Sequence, residues 1–257
     1  MARNRIRAVL FDMGGTLEEL YNDEVIRLEA IRGLRDLLRE RGADPGLSLP
    51  DLQATVSSGL AAYQAWRDGR EVELPASRVW TEYIFVNQGQ VKDRLLAAAE
   101  EIAFFHEAHY HTRSLRPEAP AVLEALQKLG IRLAIISNVI SRKLVPYKLA
   151  EYGIAHYFDP VVTSSSLGWR KPNKRIFEEA VRLMDLPPEV CAYVGDTVSR
   201  DVIGARRAGF GLAIQIQSFL TERSDRGTAD VPPDAVVHDL REVVDLVSDD
   251  REDPHAD

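Results

Sequence analysis

Near the start of the chain the apolar run Ala8-Val9-Leu10-Phe11 ends on a carboxylate, Asp12, and opens into Met13-Gly14-Gly15-Thr16. A buried strand that delivers a charged side chain into a glycine-rich turn places it at the C-terminal edge of a sheet. That edge is where open α/β sheets bind ligands. What else the chain brings to the same edge decides whether Asp12 is more than a turn residue.

Downstream of Arg116 the pattern alternates between helix and strand. The spacing predicts helices over 117–129, 141–152, 173–184 and 199–208, with strands over 131–136, 158–162, 190–194 and 212–216. Such alternation implies a parallel sheet with right-handed crossovers. A short strand at 235–238 and a helix at 240–247 would close it, after a polar loop over 217–234. Between the first strand and this half lie four stretches of helical period and no strand signal. They are a helix capped by Asp23 and stopped by Gly42, then 52–66, 75–86 and 91–110. The expected fold is therefore α/β, a Rossmann-like doubly wound parallel sheet core with an inserted all-helical cap domain. Its parts are residues 1–19 and 113–247 for the core, 20–112 for the cap, and 248–257 as an acidic tail expected to be disordered.

Composition narrows the partners. With 257 residues, a formal net charge of -8 and no long apolar span, the chain is a poor match for nucleic acid or a membrane surface. It shows no secretory signal pattern, and its single cysteine, Cys191, lies in an apolar run. A cytoplasmic protein with a buried, unreactive thiol is expected. Oligomeric state is not encoded in any visible pattern.

Four places in the α/β half lie just past predicted strand ends: Asp12, Ser137-Asn138, Lys171 before Pro172, and Gly195-Asp196 with Asp201. Each has a plain reading by itself: a turn residue, a polar turn, a surface lysine, a helix N-terminal charge. Together, on one rim of a parallel sheet, they make a kit for phosphoryl transfer. Asp12 would attack, Ser137 and Lys171 would hold the transferring group, and the carboxylates would bind Mg²⁺ through oxygen. His106, His109 and His111 lack metalloprotease spacing and read as connector or surface residues, while Trp169 beside Lys171 is expected to line the cleft.

In order and spacing these motifs resemble the haloacid dehalogenase-like hydrolases. The resemblance rests on Asp12-Met-Gly-Gly-Thr16, Ile136-Ser137-Asn138, Lys171-Pro172 and Gly195-Asp196 with Asp201, and spans residues 5–247. It implies a Mg²⁺-dependent phosphatase of a small phosphorylated metabolite acting through an aspartyl phosphate. Asp12 would be nucleophile and metal ligand, Ser137 and Asn138 phosphoryl-binding, Lys171 the screening cation, and Asp196 the direct metal carboxylate. The backbone carbonyl of Gly14 would also face the metal. Thr16, Gly195 and Asp201 would support them, Asp201 by orienting Lys171 or a metal-bound water. The family's usual acid, two residues after the nucleophile, is replaced here by Gly14. Glu18 or Glu19 could substitute for it. Alternatives within the family are dehalogenase chemistry, without an aromatic residue at position 14, and phosphonate cleavage, for which Lys92 is the only lysine between 18 and 112. A weakly active or inactive member that binds a ligand or partner is the alternative from outside enzymology.

Overall fold

The computed structural model describes residues 5–218 and 231–249. Strand β1 (Ala8–Phe11) is the axis of a six-stranded sheet whose other members, in chain order, are β4 (Arg132–Ser137), β5 (Phe158–Thr163), β6 (Cys191–Gly195), β7 (Leu212–Ile216) and β8 (Ala235–Val237). Their spatial order is β5-β4-β1-β6-β7-β8, and every pairing is parallel. Because side chains alternate along a strand, Val9 and Phe11 pack on one face with Leu133, Ile135 and Val194, and Ala8 and Leu10 on the other with Ala134, Ile136 and Tyr193. Helices α5 (Ala119–Lys128), α6 (Leu144–Glu151) and α10 (Arg241–Asp249) cover the first face; α8 (Lys174–Met184) and α9 (Ile203–Arg207) cover the second. Burial on both faces explains the continuous apolar runs in the sequence. Cys191 is buried at the start of β6, and burial pushes its thiol up to about 12, the inert behaviour its context suggested.

The helical block consists of α1 (Glu24–Glu40), α2 (Leu49–Asp68), α3 (Ala76–Arg78) running into a π-helical stretch at Val79–Ile84, and α4 (Lys92–His109). Asp23 accepts from Ile26 N at 2.9 Å to begin α1, and Ser48 accepts from Asp51 N to begin α2 with Pro50 in its first turn. The block has its own apolar cluster, including Leu34, Leu52, Val56, Tyr63, Trp80, Leu95 and Ile102. Trp80 is fully buried there and does not face a cleft. No helix among the described residues is long and apolar enough to cross a membrane.

Two short strands escaped the sequence pattern. Strand β2 (Glu18–Tyr21) pairs antiparallel with β3 (Thr112–Leu115) in the register Glu18↔Leu115 to Tyr21↔Thr112. The two four-residue segments, Glu-Glu-Leu-Tyr and Thr-Arg-Ser-Leu, mix polar and apolar residues and are too short to carry a pattern that a sequence reading can detect. This ribbon joins the helical block to the sheet, and the expected boundaries at 19/20 and 112/113 both fall inside it. The expected helix at 141–152 begins only at Leu144, because the preceding loop is held by α4. Glu107 accepts from Ile140 N at 2.9 Å and Ser141 N at 2.8 Å, while Glu100 accepts from Ser141 Oγ at 2.7 Å and Arg142 N at 2.8 Å. The first turns of the expected helix at 199–208 are π-helical, Val198–Val202. Helix α10 runs past the expected start of the acidic tail; residues 250–257 and 219–230 of the polar loop lie outside the described residues.

Burial pushes the Glu107 carboxyl up to about 7, against the opposing pull of the Ile140 and Ser141 amides. A raised folded-state pKa means the native protein holds this proton where the unfolded chain has lost it. Its contribution is therefore complete below about 4.5 and disappears as pH rises to about 7, a change of at most roughly 3 kcal/mol. Urea titrations of wild type and Glu107→Gln across that interval should show a shallower fall in the variant; parallel profiles would assign the pH dependence elsewhere.

Candidate active site

Three strand ends and one loop build the site. Asp12, at the end of β1, is fixed by its own N–H donating to Val194 O at 2.9 Å. Lys171 comes from the loop between α7 (Ser164–Leu167) and α8, and is 2% exposed. Its Nζ lies 2.9 Å from Asp12 Oδ1, 2.7 Å from Asp201 Oδ1 and 2.9 Å from the Tyr193 hydroxyl. Asn138, just beyond β4, brackets the same residue: Lys171 N donates to Asn138 Oδ1 at 2.9 Å and Asn138 Nδ2 donates to Lys171 O at 3.1 Å. Asn138 lines the cavity, but its amide is turned to the lysine backbone. Ser137, the buried last residue of β4, lines the cavity beside Asp12.

Past β6, Asp196 is fully buried and accepts from Ser218 Oγ at 2.6 Å. Asp201 uses both oxygens: Oδ1 takes Lys171 and lies 3.1 Å from the Tyr193 hydroxyl, and Oδ2 accepts from Thr197 N at 3.0 Å and Thr197 Oγ1 at 2.6 Å. Close approach makes two glycines necessary here. At Gly15, whose φ is +85°, a Cβ would stand 2.3 Å from Asp196 Oδ2; at Gly195 it would stand 2.4 Å from Asp201 Cβ. Thr16 is buried, and its hydroxyl finds no hydrogen-bond partner among the described residues.

Charge is concentrated beyond what Lys171 neutralises. Asp12, Asp196 and Asp201 each present a carboxylate oxygen within 4.8 Å of the others. Burial raises Asp12, opposed by Lys171 and reinforced by Asp201. Burial and then the charges of Asp201 and Asp12 push Asp196 up to about 7. Burial also acts on Asp201, but Lys171, Arg200 and Thr197 outweigh it and hold that carboxyl below its ordinary value. Crowded carboxylate oxygens with a single ammonium form a hard-donor set that suits a small divalent cation.

The cavity above Asp12, about 280 Å³, is also lined by Gly14, Glu18, Arg67, His111, Arg113, Lys148, Arg170 and Arg200. Glu18 is fully buried beside Gly14 and accepts from Arg113 Nη1 and, at 2.9 Å, from the Tyr152 hydroxyl; Glu19 points to solvent. A Cβ at Gly14 would meet Leu20 Cδ1 at 3.3 Å, Arg113 Nη1 at 3.7 Å and Glu18 Oε2 at 4.0 Å. Trp169 does not line this cavity. Its indole carries the Arg175 guanidinium at 4.3 Å, and the next residue, Arg170, turns inward instead. His106 is buried, not superficial: burial pulls it down to about 4, and it lies between Tyr110 and Trp80. His109 stacks on Phe105. Tyr193, Arg67, Arg113, Arg170 and Arg200 were not singled out from the sequence. The only hint for Tyr193 was a phenol within the apolar run of β6.

A family model of haloacid dehalogenase-like hydrolases matches residues 6–209. The chain belongs to this family. Among curated relatives of this hydrolase, "Glyceraldehyde 3-phosphate phosphatase" of Methanopyrus kandleri is 29% identical over 94% of this chain and 97% of its own. "Phosphoserine phosphatase" of Thermus thermophilus is 34% identical over 92% of this chain and 90% of its own. The solved 2-haloacid dehalogenase of Pseudomonas syringae pv. Tomato superposes with a TM-score of 0.66 at 24% identity, covering 95% of this chain and 99% of that one. At that identity the likeness concerns the fold.

Removing one partner of a buried ion network leaves the others uncompensated. Lys171→Met should lower stability by about 3–5 kcal/mol in urea unfolding, and adding Asp201→Asn should recover part of the loss. Additive losses in the double variant would mean that the two groups do not interact.

Proposed function

We propose that this hydrolase is a Mg²⁺-dependent phosphatase of a small phosphorylated metabolite, with residues 20–112 acting as its cap. The observation that carries the reading is the meeting of Asp12, Ser137, Lys171 and Asp196 at one rim, beside the crowded carboxylates described above. The phosphatase names of the two curated relatives support it.

In this reading Asp12 attacks phosphorus, an aspartyl phosphate forms, and the alcohol oxygen departs with the electrons of the P–O bond. Ser137 donates to a phosphoryl oxygen. Lys171 offsets charge on Asp12 and the phosphoryl group, held in place by Asp201 and by the Asn138 bracket. Asp12 and Asp196, with the Gly14 carbonyl, would hold Mg²⁺, which when bound neutralises phosphoryl charge. Water then cleaves the acyl phosphate to release inorganic phosphate and restore Asp12.

At the leaving group, the place of the missing acid is bordered by Arg113 and Glu18. Both Glu18 oxygens are already accepting, so its role is to orient Arg113 rather than to give up a proton. Arg113 can stabilise a departing oxygen but does not protonate it. Hydrolysis should therefore favour leaving groups that depart as weak bases. The other readings have less support. Dehalogenase chemistry leaves the buried Asp196 unexplained and lacks an aromatic residue at position 14, and Lys92 is solvent-exposed, away from any Schiff-base role.

Para-nitrophenyl phosphate and acetyl phosphate should be hydrolysed with Mg²⁺, but not with EDTA and not by Asp12→Asn. No turnover of any phosphate ester or anhydride alongside saturable ligand binding would favour the non-enzymatic alternative. Gly14→Asp should fold, since its Cβ needs only the mobile end of Leu20 to shift and Arg113 lies close enough to offset the added charge. It should raise turnover of alkyl phosphates by about 10²-fold, the lower end of what general acid catalysis supplies. An unchanged rate would show that another group already protonates the leaving oxygen.

A further inference from the structure

Three guanidinium groups reach the cavity from three separate elements. Arg67 comes from the last turn of α2, Arg170 from the loop before Lys171, and Arg200 from the π-helical turn after β6. All three also line a second cavity of about 330 Å³, which shares Lys171 with the first but is not lined by Asp12, Gly14 or Ser137. The cluster therefore stands at the junction of the two spaces.

The counter-charges are unequal. Arg170 is matched by Glu73, which also accepts from Ser164 Oγ at 2.8 Å and from the Tyr63 hydroxyl. Arg200 faces Asp196 and Asp201 and lowers the pKa of both. Arg67 has the weakest match. Its guanidinium lies over the Tyr63 ring at 5.1 Å, the nearest carboxylate oxygen, on Asp68, is 3.8 Å from Nε, and that buried Nε has no hydrogen-bond partner. The groups also act on one another: burial pulls Arg170 down to about 10, and the charges of Arg67 and Arg200 add to that effect against the pull of Glu73. Like charges gathered in a partly desolvated place are costly unless an anion joins them. Gathering them here, in a chain whose net charge is -8, marks a local anion site.

We propose that Arg67 and Arg200, backed by Arg170, form a second anion subsite, so that the substrate carries a carboxylate or a second phosphate besides the phosphoryl group that is transferred. The proposal rests on reading the first cavity as a phosphomonoester site. Because Arg67 belongs to the helical block and Arg170 and Arg200 to the sheet domain, an anion held between them would tie the two parts together around the substrate. A phosphate ester with no second anion would add nothing to the bonds that Glu71 and Glu73 make to the 168–170 loop across that seam.

Binding of non-hydrolysable probes tests this without turnover. Titration calorimetry in Mg²⁺ would compare methylphosphonate, which has no second anion, with phosphonoacetate and 3-phosphonopropionate for the carboxylate case and methylenediphosphonate for the phosphate case. At least one of the three bifunctional probes should bind about tenfold or more tightly than methylphosphonate, the scale of one charge-assisted contact. Arg67→Gln and Arg200→Gln should each reduce that ratio severalfold, and Arg67→Lys should keep part of it; melting curves check that the variants fold. Equal binding of all four probes, no binding of any, or a ratio indifferent to both substitutions would overturn the subsite. Probe binding with the expected ratio but no hydrolysis of any phosphate ester would leave the subsite standing and refute the phosphatase reading instead.

Discussion

The ammonium group of Lys171 is the contact on which the rest of the site depends. It joins Asp12 at the end of β1 to Asp201 beyond β6, and its backbone is gripped by Asn138 at the end of β4. Without a cation there, two buried carboxylates would face each other at close range, and burial would force at least one to take up a proton. With it, the Asp201 carboxyl is held below its ordinary value, and the rise that burial imposes on Asp12 is opposed. Burial and the charges of Asp201 and Asp12 push Asp196 up to about 7, so a divalent cation would have charge to offset there. Sheet order and chemistry are thus linked: β1 must lie between β4 and β6 for one lysine to reach all three.

Carboxylates of the helical block hold loops of the site. Carboxylates on α4 hold the backbone of the loop after Ser137-Asn138, and Ile140 from that loop enters the block's apolar cluster. Glu73, just beyond α2, holds Arg170 next to Lys171. Both loops proposed to present phosphate-binding groups are therefore held by residues of the inserted block. A cap attached in this way can influence the geometry of the rim, not only access to it.

Much of the frame was legible in the sequence, since it depends on local pattern. Apolar runs ending on Asp12, Ser137 and Gly195 gave strands whose last residues meet, and Asp23 and Gly42 marked the ends of α1 correctly. What stayed hidden depends on contacts between residues far apart. Strands β2 and β3 exist because they pair with each other across about ninety residues of helix. Tyr193 gave no chemical signal in an apolar strand until the fold put its hydroxyl beside Lys171. Trp169 and Arg170 are neighbours, and nothing local decides which of them turns inward; the bond from Arg170 to Glu73 decides it. Gly14 was readable as a missing side chain, but its neighbours Glu18 and Arg113 become visible only through the β2–β3 register.

The account stands on Asp12 as the atom that takes the phosphoryl group. Acid-quenching the enzyme within the first turnovers of acetyl phosphate, followed by mass spectrometry of its peptides, tests this directly. A phosphoryl-mass increment on the peptide carrying Asp12, absent from Asp12→Asn, is the result the account predicts. Turnover with no such increment at any quench time, or with the label on a different residue, would contradict it.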